Sequence, residues 1–233
     1  MSDAAGDLSG AAAIFDLDGT LIDTAADLAA AVNHALVGAG APPLDLATAR
    51  GLIGHGARAM IRRGFAAAGR TLSDADLADR LAAFLDYYNA HIADASRPFP
   101  GAIKAIARLR AAGVRGAVCT NKSEAPARRL LAMLGVDGSF ETIVGGDTAA
   151  KPKPDPAPVR LCLEATLGSP RATRAVFIGD SDTDIRAASA AGLACVLVEF
   201  GYGPTDLAAE ALTTIASYEE LDEAVRLALA KRA

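Results

Sequence analysis

Asp16 and Asp18 stand two residues apart in Phe15-Asp16-Leu17-Asp18-Gly19-Thr20, at the end of an apolar run. Two carboxylates so close on one loop repel unless a cation lies between them or one holds a proton, and either arrangement serves chemistry. A second acidic segment, Gly179-Asp180-Ser181-Asp182-Thr183-Asp184, closes another apolar run. Asp16, Asp18, Asp180 and Asp184, with no His or Cys among them, make a donor set of hard oxygens. That set suits Mg2+, which takes one or two carboxylates and leaves room for water and phosphate oxygens. No EF-hand spacing points to Ca2+. The plainer uses are an Asx-turn after the first run and, for Asp182 and Asp184, capping of a helix that starts near 183.

Two more segments could complete such a site. Thr120-Asn121 ends the apolar run 114–119, where a hydroxyl and a helix N-terminal N–H can receive a phosphoryl oxygen. Lys151-Pro152-Lys153-Pro154 leads into a helix, and a lysine there would hold a carboxylate nucleophile and a phosphate together. Both Lys151 and Lys153 begin a Lys-Pro-x-Pro.

The elements that carry these residues alternate. Ala11–Phe15, Val114–Cys119, Thr142–Val144, Ala175–Ile178 and Ala194–Val198 are short, mainly apolar runs, as expected of parallel strands buried on both faces. Helices are expected over 102–112, 124–134, 156–167 and 183–191. Gly113, Gly135, Gly168 and Gly192 follow them as left-handed caps. A last helix spans about 218–231. This pattern predicts a doubly wound parallel-sheet, Rossmann-like α/β core, whose ligands bind beyond the carboxyl ends of the strands.

Residues 23–97 break the rhythm with helices alone, near 24–38, 45–52, 57–68 and 74–95, the last opened by a Ser73/Asp76 capping box. A connection this long implies an inserted all-helical cap over 23–97, with 1–22 and 98–233 forming the core. Arg97-Pro98-Phe99-Pro100-Gly101 is the expected return hinge.

Composition narrows the function. The 233 residues are 52% hydrophobic and 22% charged, so the chain folds. A net charge of −5 without a basic cluster argues against nucleic acid. No apolar stretch reaches the ~20 residues of a membrane span, and MSDAAGDLSG lacks the basic start of a secretory signal. Cys119, Cys162 and Cys195, odd in number and far apart, fit buried thiols in a reducing cytoplasm.

DxDGT, Thr-Asn, Lys-Pro-x-Pro and GDxxxD, in this order over nearly the whole chain, resemble the haloacid dehalogenase-like phosphohydrolase superfamily. Cys119-Thr120-Asn121-Lys122, Val144-Gly145-Gly146-Asp147-Thr148, Ile53-Gly54-His55-Gly56 and Pro98-Phe99-Pro100-Gly101 resemble its phosphoglycolate phosphatases. The resemblance implies hydrolysis of 2-phosphoglycolate to glycolate and phosphate through an aspartyl-phosphate on Asp16. Asp18 would be the general acid/base, and Thr120 and Asn121 the phosphoryl grip. Mg2+ would be held by the Asp16 carboxylate, the Asp18 carbonyl and Asp180, with Asp184 ligating or orienting. The family's Pro-x-Pro register selects Lys151 as the catalytic lysine. In the cap, Gly54, His55 and Arg58 would meet the leaving group, whereas His34, His91, Phe84, Tyr87 and Tyr88 are expected to pack. Asp18 argues against a dehalogenase. The absence of Lys from 23–97 argues against a phosphonate hydrolase or a sugar-phosphate mutase. A phosphatase for another small ester, such as a sugar 6-phosphate, and a catalytically silent binding module remain the alternatives. The expected partner is a small phosphate ester, and either a monomer or a homodimer is compatible with the sequence.

Overall fold

The computed structural model describes residues 8–230. The first seven residues, read above for a secretory signal, and the expected end of the last helix at 231 lie outside the described residues.

Six strands form one sheet in the order β5-β4-β1-β6-β7-β8, with every pairing parallel. They are β1 (Ala12–Phe15), β4 (Arg115–Cys119), β5 (Thr142–Val144), β6 (Ala175–Gly179), β7 (Ala194–Val198) and β8 (Thr213–Ile215). Period-two alternation divides their side chains between two cores. Phe15, Val118, Ile178 and Val196 join one core with α5 (Ala102–Ala111), α6 (Glu124–Met133) and α9 (Leu221–Ala230). Ile14, Cys119, Phe177 and Leu197 join the other with α7 (Ala157–Leu167) and α8 (Asp182–Ala191). Helices on both faces explain why the central strands β1 and β6 are apolar and buried at every position. Gly113, Gly135, Gly168 and Gly192 all take positive φ after their helices, as the sequence implied.

β1 is the central switch point. The chain departs from it to β4 on one side and returns to β6 on the other. Between β1 and β4 run a short strand β2 (Ile22–Asp23), helices α1 (Ala25–Val37), α2 (Leu46–Arg50), α3 (Ala57–Ala67) and α4 (Asp74–Ala90), and a short strand β3 (Arg97–Pro98). β2 and β3 pair antiparallel, Ile22 with Pro98 and Asp23 with Arg97, so the two ends of the four-helix segment leave the sheet side by side. Asp27 on α1 clamps the return, since its carboxylate accepts from the N–H groups of Ala95 and Ser96 and from the Ser96 hydroxyl at 2.6–3.1 Å.

Three expectations are revised. The helix opened by Ser73, whose hydroxyl accepts from the Asp76 N–H, ends at Ala90 rather than 95. The β2–β3 ribbon and β8 were not anticipated. β8 is three residues, Thr-Thr-Ile, too short and too polar to stand out by pattern.

Candidate active site

Parallel register sets the site. Phe15 lies opposite Val118 and Ile178, so β1, β4 and β6 end together, and the residues after each strand converge. Asp16 follows β1, Thr120 and Asn121 follow β4, and Asp180 follows β6. Asp16 is tied down at once, with its N–H donating to the Ile178 carbonyl and its own carboxylate receiving the Leu17 N–H.

Oxygens of Asp16, Asp180 and Asp184, all three buried, lie within 4.8 Å of one another. At an effective dielectric near 20, two carboxylates at that distance repel by about 3 kcal/mol. The lysine inside the cluster is Lys153, not Lys151. Lys153 Nζ is 3.0 Å from Asp16 Oδ1 and 2.7 Å from Asp184 Oδ1, and donates to the Cys119 carbonyl at 2.7 Å. Its side chain is 1% exposed, whereas Lys151 is exposed to solvent. The register inferred from Pro-x-Pro was thus displaced by one repeat. The second Lys-Pro enters the sheet end while the first remains in the preceding turn.

Three carboxylates against one ammonium leave a buried excess of negative charge. Its consequence is that burial, offset in part by Lys153 but reinforced by the neighbouring aspartates, pushes Asp16 up to about 8. Burial and the Asp184 charge push Asp180 up to about 6. A buried cluster whose acids are held above the usual carboxylate range, Asp16 above neutrality, gains from a cation placed among them. An all-oxygen donor set selects a hard one such as Mg2+.

Asp184 and Asp180 differ in freedom. Asp184 Oδ2 accepts from the Asp180 and Ser181 N–H groups and the Ser181 hydroxyl, and Oδ1 accepts from Lys153. With both oxygens so engaged, Asp184 suits orientation of the loop, and its place at the start of α8 is also that of a capping residue. Asp180 Oδ2 accepts from the backbone N–H of Tyr202 at 2.7 Å and of Gly203 at 3.1 Å, and Oδ1 receives a long contact from Thr20 Oγ1. The backbone can come this near because it carries no side chain there. A Cβ at Gly19, which has φ +86°, would lie 2.4 Å from Asp180 Oδ2, and one at Gly201 would lie 2.1 Å from Asp180 Cβ. The 201–203 loop escaped sequence reasoning because nothing in its Gly-Tyr-Gly composition signals an acidic partner some twenty residues earlier.

Asp18 lies outside the buried trio. Its carboxylate accepts from Thr24 Oγ1 at 2.8 Å, and both oxygens meet Lys122 Nζ at 3.0 and 2.9 Å. Lys122 was singled out only as part of a motif, without a role. Burial would lower its pKa, but the charge of Asp18 outweighs that and raises it, so the ammonium is retained. Tyr88 from α4 lies over it at 4.7 Å. Tyr88 stacks on Phe84 and is buried, as expected of packing, yet both also line the cavity above Asp16 and Asp18.

Thr120 lines the same cavity, and its Oγ1 accepts the Lys122 N–H, which leaves the hydroxyl proton to donate. Asn121 donates from its side chain to the Lys153 carbonyl at 3.0 Å and to the Gly54 carbonyl at 3.3 Å, while its Oδ1 is buried without a partner. It therefore bridges the sheet end and the turn before α3. Gly54 lines the cavity. His55 does not: it borders a neighbouring crevice with Asp180 and Tyr202, and its ring contacts Arg63. Arg58 is exposed on α3 and lines neither of these spaces, so the structure does not bring it to the leaving-group side.

Groups expected to be structural are so placed. His34 and His91 stack on Tyr87. All three cysteines are buried and unpaired, and burial raises the thiols of Cys162 and Cys195. Among the described residues no helix is long and apolar enough to cross a membrane.

Residues 13–198 match the family described as haloacid dehalogenase-like hydrolase. Two curated relatives are the phosphoglycolate phosphatases of Mesorhizobium japonicum, 47% identical over 81% of this chain and 82% of that one, and of Caulobacter vibrioides, 46% identical over 84% and 82%. Among solved structures, a predicted phosphoglycolate phosphatase from Haemophilus somnus superposes with a TM-score of 0.85 at 29% identity, covering 91% of this chain and 96% of that one. CbbY from Rhodobacter sphaeroides, solved in complex with phosphate, gives 0.76 at 30% identity over 90% and 95%.

Proposed function

The chain belongs to the haloacid dehalogenase-like hydrolase family, and on that footing we propose that it is a Mg2+-dependent phosphatase that hydrolyses 2-phosphoglycolate to glycolate and phosphate. The observation that carries this reading is the placement of Asp16. A buried carboxylate sits at the carboxyl end of the central strand, beside Asp180, Asp184 and Lys153, and opens on the cavity that Asp18 and Thr120 also line. The substrate choice is supported by relatives at 40–47% identity that carry that name.

In this reading Asp16 attacks phosphorus and the ester oxygen departs with a proton from Asp18, giving an aspartyl-phosphate. Asp18 then takes a proton from the water that attacks the phosphorus and frees Asp16 and phosphate. Thr120 Oγ1 and the Asn121 N–H hold phosphoryl oxygens. Lys153 offsets charge on Asp16 and the incoming phosphate, as phosphoryl transfer depends mostly on positioning and electrostatics. Asp16 and Asp180, with the Asp18 carbonyl, would hold Mg2+, and Asp184 orients the loop. The bound ion supplies charge neutralisation at the transferring phosphoryl group. Residues 23–97 act as a cap over the core formed by 1–22 and 98–233, and the buried free thiols fit the cytoplasm.

The test is kcat/KM with Mg2+ for 2-phosphoglycolate beside sugar 6-phosphates, nucleotides and phosphonoacetaldehyde. A preference of about 100-fold for 2-phosphoglycolate is expected, with loss of turnover in Asp16→Asn. A sugar phosphate in front would move the substrate and keep the chemistry. No turnover of any ester would leave a binding module.

A further inference from the structure

The cavity between the four-helix segment and the sheet is walled mainly by apolar groups, among them Leu28, Ile53, Met60 and Phe84. Of the side chains that line it, Lys122 alone is cationic. Its side chain is 7% exposed, with Nζ against both oxygens of Asp18 and the Tyr88 ring above it. The other cations of the neighbourhood are directed elsewhere. Arg50 donates to the carbonyls of Phe200 and Gly201, Arg63 meets His55, and Lys153 is held by Asp16 and Asp184.

The covalent structure of the substrate sharpens this. In 2-phosphoglycolate a single methylene separates the ester oxygen from the carboxylate carbon. Asp18 must reach that ester oxygen to protonate it, so whatever reads the carboxylate has to stand within a few ångströms of Asp18. Lys122, 2.9 Å from it, meets that requirement. We propose that Lys122 binds the carboxylate of the substrate and so sets the preference for a carboxylate-bearing ester, with Tyr88 fixing the ammonium in place. This rests on the 2-phosphoglycolate reading, and it puts the specificity contact on the sheet side of the cavity, in the loop between β4 and α6, instead of on His55 or Arg58.

The experiment compares 2-phosphoglycolate with ethyl phosphate, which replaces the carboxylate by a methyl group. Loss of Lys122 disturbs Asp18 for both esters, so the readout is the ratio of their kcat/KM values. Lys122→Met is expected to shrink that ratio by about 10- to 100-fold, the scale of a hydrogen bond to a charged group, and Lys122→Arg to retain most of it. Lys122→Gln, which can still donate to Asp18, gives the same ratio test if Lys122→Met does not fold. If the variants lower both substrates in equal proportion, Lys122 only positions Asp18 and the proposal falls while the substrate stands. If the wild type shows no preference for 2-phosphoglycolate over ethyl phosphate, the functional reading fails first and this inference with it.

Discussion

The backbone N–H of Tyr202 donates to Asp180 Oδ2 at 2.7 Å while the phenol of the same residue reaches the opposite side of the site. The hydroxyl contacts Asp23 and accepts from the N–H groups of Thr24 and Ala25, and Arg50 lies 4.6 Å over the ring. One residue thus ties a cluster carboxylate to the β2 end of the four-helix segment and to α2.

The two ends of that tie can be separated. Gly201→Ala drives a Cβ into Asp180, so Mg2+ affinity is expected to fall by about 10- to 100-fold, the usual cost of disturbing a ligand's supporting shell. Tyr202→Phe keeps the N–H on Asp180 and loses only the hydroxyl contacts. Its Mg2+ affinity should stay within about twofold, with stability lower by about 1 kcal/mol. Titration calorimetry with Mg2+ and urea melts separate the effects. Equal loss of metal affinity in both variants would contradict the division of roles.

The identity of the catalytic lysine is open to direct test. Lys153→Met removes the only ammonium in contact with Asp16 and Asp184 among the described residues, and kcat should drop by about 10^2- to 10^3-fold. Lys151→Met alters an exposed side chain, and its kcat should remain within about twofold. The Lys153 variant also strands buried carboxylates, so a stability loss of about 3 kcal/mol or more is expected without Mg2+, and the assay belongs in saturating metal. A larger kcat loss in Lys151→Met would restore the first Lys-Pro.

Stability should respond to pH and metal together. Asp16 rises from 3.8 unfolded to about 8 folded, and Asp180 to about 6. Below pH 3.8 both states hold these protons, so neither group affects folding. As pH rises toward 8, the unfolded chain releases protons that the folded chain retains, and the metal-free protein loses stability. A bound divalent ion favours the ionised acids and removes that loss. The rise in Tm on adding Mg2+ over EDTA is therefore expected to be small at pH 5 and to grow through pH 8. A rise of equal size at both pH values would mean that Asp16 and Asp180 do not hold the ion.

What the sequence made legible follows from range. β1, β4, β6 and β7 could be read because burial on both faces demands mainly apolar runs, and Asp16 and Asp180 because strand ends in such a sheet are where side chains meet. Lys151 and Lys153 could not be separated, since both precede proline and only the packed sheet end distinguishes them. The Tyr202–Asp23 contact joins residues 179 positions apart, and Lys122 carries no local sign of the Asp18 it meets 104 residues earlier. Contacts of that span become visible only once the strand order is known.

The least legible of these is Asp27, one acid in an Ala-rich helix whose partners lie 68 and 69 residues away. Buried in α1, it satisfies the N–H groups of Ala95 and Ser96 just before β3, and so fixes where the chain returns to the core. Asp27→Ala would leave those donors, the buried Ser96 N–H and hydroxyl among them, without an acceptor, at a cost of about 3 kcal/mol. Asp27→Asn, which keeps one acceptor oxygen, should lose less. Because Asp27 does not line the cavity above Asp16, kcat at saturating substrate should change little wherever the variant is folded, while proteolysis should concentrate at residues 91–97. Urea melts and limited proteolysis measure both. A stability loss under about 0.5 kcal/mol would show that the β2–β3 ribbon holds the return without the clamp.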